Sequence, residues 1–143
     1  MFENDIFFSE NINEEFGIKT NIQKLENGEL RARLIGNDKS SYIRTESGDN
    51  EYWQRAHYHN YLNEMYIVQS GKIIIAVKKD DDVEFITLNK DDYFVLPSKT
   101  SHNVYMFKNT VTHTVKFGDI IESDWNLDEP FNNITQNIEI DLM

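Results

Sequence analysis

From Glu29 onward, apolar and polar positions alternate in short runs that stop at turn-forming residues. Strand side chains alternate between two faces, so a period of two predicts strands with one buried face. Residues 30–35 alternate and end at Gly36, Asn37 and Asp38. Residues 41–45 form the next run, closed by Ser47, Gly48, Asp49 and Asn50. Residues 52–59 follow. Residues 63–69 and 72–78 flank Ser70 and Gly71, which read as a hairpin turn. Residues 83–88 come after the polar turn Lys79 to Asp82, and residues 92–96 lead into Pro97. Residues 102–107 and 111–117 are joined by Lys108, Asn109 and Thr110. Nine such runs predict an antiparallel sandwich or small barrel. Both prolines lie outside strand centres, where no ladder N–H is lost.

The two ends of the chain lack this alternation. Residues 1–28 read as an N-terminal arm, with a short helix as an alternative over residues 12–17. Residues 29–118 form the predicted barrel, and residues 119–143 an acidic C-terminal extension. Within that extension residues 123–127 suggest a helical turn, and residues 132–143 a tail or an exchanged strand. No internal repeat or linker divides the chain, so one domain of 143 residues is expected.

Composition narrows the function classes. Hydrophobic residues make up 39% and aromatic ones 13%, enough for a packed core. The net charge is −11, which disfavours phosphate backbones and anionic lipid as partners. No cysteine is present, which excludes disulfides and thiolate chemistry. The N-terminus has no basic, apolar leader pattern, and no run approaches the ~18 apolar residues of a membrane span. A cytoplasmic protein with a small-molecule ligand, no nucleic acid and no membrane is the expectation.

The candidate chemistry is concentrated between His57 and His102. His57, His59, Glu64 and Gly71 form the pattern H-x-H-x4-E-x6-G, and Pro97 is followed five residues later by His102. Alternation places His57 and His59 on one face, with Arg55 and Trp53 behind them. Pairing of residues 52–59 with residues 63–69 would bring Glu64 alongside. Three neutral imidazole nitrogens and one carboxylate suit one divalent transition metal, namely Fe, Mn, Ni, Co or Zn. A barrel interior that keeps polar residues without binding metal is the simpler reading.

In this order of residues the chain resembles a small single-domain cupin. The first motif of that superfamily is complete here; the second is partial. Asp91 and Lys99 stand where cupins carry glycine, and Met106 where they often carry asparagine. The resemblance, over residues 29–118, implies an all-β antiparallel jelly-roll barrel, a homodimer, and a metal held by His57, His59, Glu64 and His102. Cupins include isomerases and epimerases of sugars, dioxygenases, decarboxylases and ligand sensors. Either a metal-dependent enzyme acting on a sugar or keto acid, or a non-catalytic binding module, is compatible with the motif.

Secondary candidates surround these four residues. His113 and Tyr66 are candidate proton-transfer groups, although a histidine bonded within the sheet is the simpler account of His113. Arg55 is a candidate anion clamp, and Trp53 and Tyr105 are candidate substrate contacts; ion pairing and ordinary sheet packing are their plainer roles. Lys99 reads as a solvated loop residue near the barrel mouth. The Asp80-Asp81-Asp82 run lacks the spacing of a calcium loop and reads as a turn.

Overall fold

The computed structural model describes residues 16–38, 40–118 and 124–140. Among them the chain forms twelve strands and one helix. The strands are β1 (Lys19–Lys24), β2 (Leu30–Ile35), β3 (Ser41–Glu46), β4 (Tyr52–Trp53), β5 (His57–Tyr58) and β6 (Leu62–Ser70). They continue with β7 (Lys72–Lys79), β8 (Asp82–Asn89), β9 (Tyr93–Leu96), β10 (His102–Met106), β11 (Val111–Gly118) and β12 (Asn126–Leu127). Helix α1 (Glu129–Gln136) comes last.

Two six-stranded sheets face each other, and every strand pair is antiparallel. One sheet runs β1-β2-β3-β11-β6-β9; the other runs β12-β5-β10-β7-β8, with β4 also paired to β10. This is the predicted all-β jelly roll. The period-two pattern is realised directly: Ile73, Ile75 and Val77 of β7 face inward with Val104 and Met106 of β10. Tyr66 and Val68 of β6 and Leu96 of β9 meet them from the opposite sheet. Ile73 and Ile75 are fully excluded from water, and each contributes roughly 1.5–3 kcal/mol by burial.

The structure corrects several expectations of pairing. Strands β6 and β7 do not pair, so Ser70 and Gly71 are not a hairpin turn; they carry the chain from one sheet to the other. Gly71 has φ of +79°, and a Cβ there would lie 2.7 Å from Thr110 Cα. Only glycine tolerates both that torsion and that approach. Likewise β5 and β6 lie in different sheets, so Glu64 reaches the histidines across the sandwich, not along a hairpin. Residues 52–59 are not one strand. The register against β10 shifts by one between Trp53–Tyr105 and His57–His102, which is the signature of a bulge.

The two ends also differ from their reading. Residues 19–24, read as part of an arm, form β1 and pair with β2 over six positions. Residues 126–127, read as part of a helical turn, form β12 instead, and residues 129–136 form a helix that takes in the start of the segment, residues 132–143, read as a tail or an exchanged strand. Asp128 caps it, its carboxylate accepting the Phe131 N–H at 3.1 Å, and Pro130 sits in the first turn. Both are helix-start signals present in the sequence. Phe131 packs with Ala56 and Ala76 on the outer face of the second sheet. The helix also satisfies the bulge: Asn132 Oδ1 accepts the Ala56 N–H at 2.9 Å, and Gln136 Nε2 donates to Gln54 O at 2.6 Å. The helical alternative over residues 12–17 lies almost wholly outside the described residues. No helix among them is long and apolar enough to cross a membrane.

Candidate metal centre

Two sheets and one connecting turn deliver four side chains to one buried point. His57 comes from β5 and His102 from β10, where their Cα atoms are register partners. Glu64 comes from β6 in the opposite sheet. His59 lies on the crossing segment between β5 and β6. Glu64 Oε1 is 2.8 Å from His59 Nε2, 3.1 Å from His102 Nε2 and 3.8 Å from His57 Nε2. The ligand atoms of His57, Glu64 and His102 all lie within 4.8 Å of one another. His59, Glu64 and His102 are each at most 2% exposed, so bulk water does not satisfy them.

Hydrogen bonding fixes which ring nitrogens face inward. His57 Nδ1 donates to Arg55 O at 2.8 Å, and His102 Nδ1 donates to Thr100 O at 2.9 Å. His59 Nδ1 donates to Asp124 O. A carbonyl oxygen only accepts, so each Nδ1 carries the hydrogen and each neutral ring presents a bare lone pair at Nε2. Three lone pairs therefore converge on a carboxylate. Both His59 Nε2 and Glu64 Oε1 lack a hydrogen-bond partner although they are buried. Buried acceptors facing one another are costly unless something positive lies between them. Two donors bound cis to one cation at the ~2.1 Å usual for such ligands sit about 3 Å apart. The 2.8 and 3.1 Å separations fit that arrangement. The donor set thus matches a first-row divalent cation.

Electrostatics favour a neutral His57 beside an anionic Glu64. Burial, and then the neighbouring His102, pull the His57 pKa down to about 3. Burial alone would raise Glu64, but hydrogen bonding and the electrostatic influence of His102 and His59 hold the carboxyl well below its usual range, a role that a bound cation would take over. Tyr66 shows the opposite behaviour. Burial and the Glu64 charge push its hydroxyl well above the usual phenol range, so it stays protonated. Its hydroxyl donates to Glu64 Oε2 at 3.1 Å and lies 3.3 Å from His102 Nε2.

One residue that sequence reasoning missed holds this turn. Asp124 accepts the backbone N–H groups of Asn60, Tyr61 and Leu62 at 2.7, 2.8 and 3.1 Å. Its own carbonyl orients His59. Those three N–H bonds overcome the effect of burial and lower the Asp124 pKa. Nothing local in the sequence marks Asp124, since its partners are more than sixty residues away. Trp125 was missed as well. Its ring stacks on His57 with centroids 5.2 Å apart, and the Arg55 guanidinium carbon lies 5.8 Å from the Trp125 ring centroid.

A cavity of about 550 Å³ opens beside the four residues and is lined by both sheets. Arg55, Trp53, His57, Glu64 and Tyr66 reach it. Arg55 is exposed at its mouth, displaced from the strict alternation by the bulge. Trp53 only borders it: its Nε1–H donates to Ile138 O at 3.0 Å, and the ring packs under the α1 layer. Two candidates lie elsewhere. Tyr105 points from β10 to the outer face, where it meets Trp53 and Phe107 edge-on. His113 also faces outward, because its β11 neighbours Thr112 and Thr114 are the ones that line the cavity. It bonds Tyr42 Oη at 2.5 Å and Gln69 Oε1 at 2.7 Å, so it is a sheet histidine.

Lys99 and Asp91 both adopt positive φ, +63° and +72°. Both positions thus adopt, without glycine, a left-handed torsion that favours it. Lys99 N–H donates to His59 O at 2.6 Å, which ties the loop before His102 to the turn after β5.

The chain matches no protein-family model and no curated protein. Its fold matches solved structures. Oxalate decarboxylase from Bacillus subtilis aligns with a TM-score of 0.62 at 13% identity, covering 81% of this chain and 31% of that one. A second structure of that enzyme, described for its Mn(II) centres, aligns at 0.61 with 14% identity, covering 79% and 31%. The Streptomyces protein PAC13, solved as a variant with uridine, aligns at 0.57 with 12% identity, covering 76% and 83%. The chain spans about a third of the decarboxylase. Identities this low establish the fold alone.

Proposed function

We propose that this protein, a small cupin by fold, holds one divalent transition metal through His57, His59, Glu64 and His102 and acts on a small polar metabolite in the adjoining cavity. The observation that carries the reading is the convergence of three bare imidazole nitrogens on a buried carboxylate oxygen at the wall of that cavity. A divalent cation there supplies Lewis acidity, which polarises a substrate carbonyl and stabilises negative charge developing on oxygen. The protein's own groups supply the rest. Tyr66, kept protonated and within reach of Glu64 and His102, serves as a proton donor to a substrate oxygen. Arg55 at the mouth orients an anionic or hydroxyl-bearing substrate. Trp125, stacked on His57, covers the outer side of the cluster and limits water access. Isomerisation or epimerisation of a sugar or keto acid suits this set, and oxygenase chemistry suits it if the metal is iron. A polar cavity with a titratable hydroxyl beside the cluster favours an enzyme over a passive binding or sensor module. The Mn(II) centres named for the decarboxylase are consistent with a divalent metal here.

The homodimer is also part of this proposal. Tyr93, Val95 and Phe117 are 70%, 44% and 40% exposed, and all three lie on the outer face of the first sheet, on β9 and β11. A second copy covering that face would remove this apolar surface from water.

The metal reading is tested by metal content per chain after reconstitution with single divalent cations. Glu64→Gln keeps the volume and removes the charge, so it should lower affinity roughly tenfold or more while the protein stays folded. Wild type without metal, or equal metal in wild type and Glu64→Gln, would overturn it.

A further inference from the structure

The interior of this acidic protein is basic. Four cations, Arg31, Arg33, Arg55 and Lys116, line the cavity against two acids, Glu29 and Glu64, in a chain whose net charge is −11. The sequence carries no sign of this, because Arg31 and Arg33 are an ordinary alternation on β2. The cations are not equivalent. Arg31 is bound to Glu29 Oε1, whose other oxygen accepts the Tyr52 hydroxyl, so this pair is internally balanced. Among the described residues Arg33 makes one hydrogen bond, to the neutral Gln23 at 3.1 Å, and no ion pair. Lys116 has no ion-pair or hydrogen-bond partner among the described residues, although burial is the main influence on it and lowers its pKa.

Lys116 on β11 is the register partner of Glu64 on β6. Both side chains face the interior, and Glu64 is the longer-range charge that favours the Lys116 ammonium. Once Glu64 is committed to a cation, that compensation is withdrawn. A half-buried ammonium and a guanidinium then face a cavity whose remaining carboxylate, Glu29, is already bound to Arg31 and Tyr52. Uncompensated buried charge is costly, and an anionic ligand group would relieve it. Arg33 lies on β2, in the row of Thr114 and Tyr66, three strands away from β6. At roughly 4.8 Å per strand the two backbones are about 14 Å apart, a span that two facing side chains shorten to the length of a small metabolite.

We propose that the cavity selects a small ligand with two acidic groups, one directed at the His57–Glu64–His102 cluster and the other held by Arg33 and Lys116. The second group is a carboxylate or a phosphate, which share the geometry of a guanidinium–ammonium pair. This rests on the reading of the four-residue cluster as a metal site. It goes beyond that reading by assigning the cationic wall, which runs from Lys116 beside Glu64 to Arg33 on β2, a role in selecting the ligand.

The experiment is calorimetric titration of metal-reconstituted wild type, Arg33→Gln and Lys116→Gln, with metal content measured on the same samples. The probes are glutarate, its monoacid analogue pentanoate, 4-phosphonobutyrate and inorganic phosphate. Wild type should bind glutarate or 4-phosphonobutyrate roughly tenfold or more tightly than pentanoate, and the tighter of the two identifies the second group. Each variant should lose most of that preference, with pentanoate affinity and metal content unchanged. Lys116→Met, which keeps the apolar stem, replaces Lys116→Gln if the latter fails to fold. Equal affinity for the diacids and pentanoate in wild type, or an unaltered preference in both variants, would overturn the proposal. Wild type that holds no metal yet binds inorganic phosphate in an Arg33-dependent way would overturn the metal reading and support the basic subsite.

Discussion

His57 behaves differently from an exposed histidine because its ring is buried against other imidazoles. Its folded pKa lies near 3, below the usual 6.5, so below pH 6.5 the unfolded chain takes up the proton that the folded ring refuses. Stability is therefore intact above about pH 6.5 and declines as pH falls toward 3. Glu64, also held low, adds to the decline below its usual range near 4.5. For metal-free protein the loss from His57 should reach about 2 kcal/mol by pH 5. Thermal melting across pH 7 to 4 should show the midpoint falling from near pH 6.5, and His57→Gln should flatten the upper part of that curve. A midpoint that is flat to pH 4 would contradict this. Lys99 poses a second residue-scale question. It is exposed, with φ of +63°, and a left-handed torsion costs a non-glycine residue about 1–2 kcal/mol. Set against the greater unfolded-state freedom of glycine, Lys99→Gly should stabilise by about 0.5–1 kcal/mol in urea denaturation and leave metal content unchanged. Destabilisation would mean that the lysine side chain contributes a contact.

At the scale of elements, the bulge between β4 and β5 decides the geometry of the site. Gln54 N–H still donates to Val104 O of β10 at 2.9 Å, but beyond it the ladder is interrupted, and Gln54 O and Ala56 N–H are taken up by Gln136 and Asn132 of α1. Asp128 N–H closes the same junction by donating to Ala56 O at 3.0 Å. Helix α1 is therefore a support for the His57 position as well as a cover for the outer face of the sheet. Phe131, 1% exposed, anchors it. Phe131→Ala should destabilise by about 3–5 kcal/mol and should also lower metal affinity, because the bulge loses its fixed partner. Equilibrium urea unfolding, paired with metal content under folded conditions, checks both. A large loss of stability with unaltered metal affinity would separate the helix from the site.

At the scale of the whole molecule, the sandwich gives each sheet a different task. One brings His57 and His102, the other brings Glu64, Tyr66 and the cationic wall, and the site exists only where the two face each other. The first sheet also carries the exposed apolar outer face. Light scattering at micromolar concentration should give twice the chain mass of 16.9 kDa, and charged substitution of Tyr93 and Val95 should shift the protein to monomer. A monomeric wild type would refute the dimer.

The sequence by itself determined the strand-rich fold, because a period of two with punctual turns leaves few alternatives. It also determined the four converging residues, because the spacing of His57, His59, Glu64 and His102 is a local record of where two sheets must meet. Its alternation also kept Tyr66 on the interior face. Tertiary structure decided the rest. Which strands pair is a long-range choice, so Ser70-Gly71 reads locally as a hairpin and acts as a crossing. Strict alternation fails at a bulge, so Arg55 moved to the mouth and Trp53 to the rim. His113 and Tyr105 are inward or outward only relative to a partner sheet that the sequence does not specify. Asp124 is positioned by backbone groups more than sixty residues away, and the Arg31, Arg33 and Lys116 wall assembles from two non-adjacent strands. Local pattern records which face a residue shares with its neighbours; only the packed sandwich decides what that face confronts.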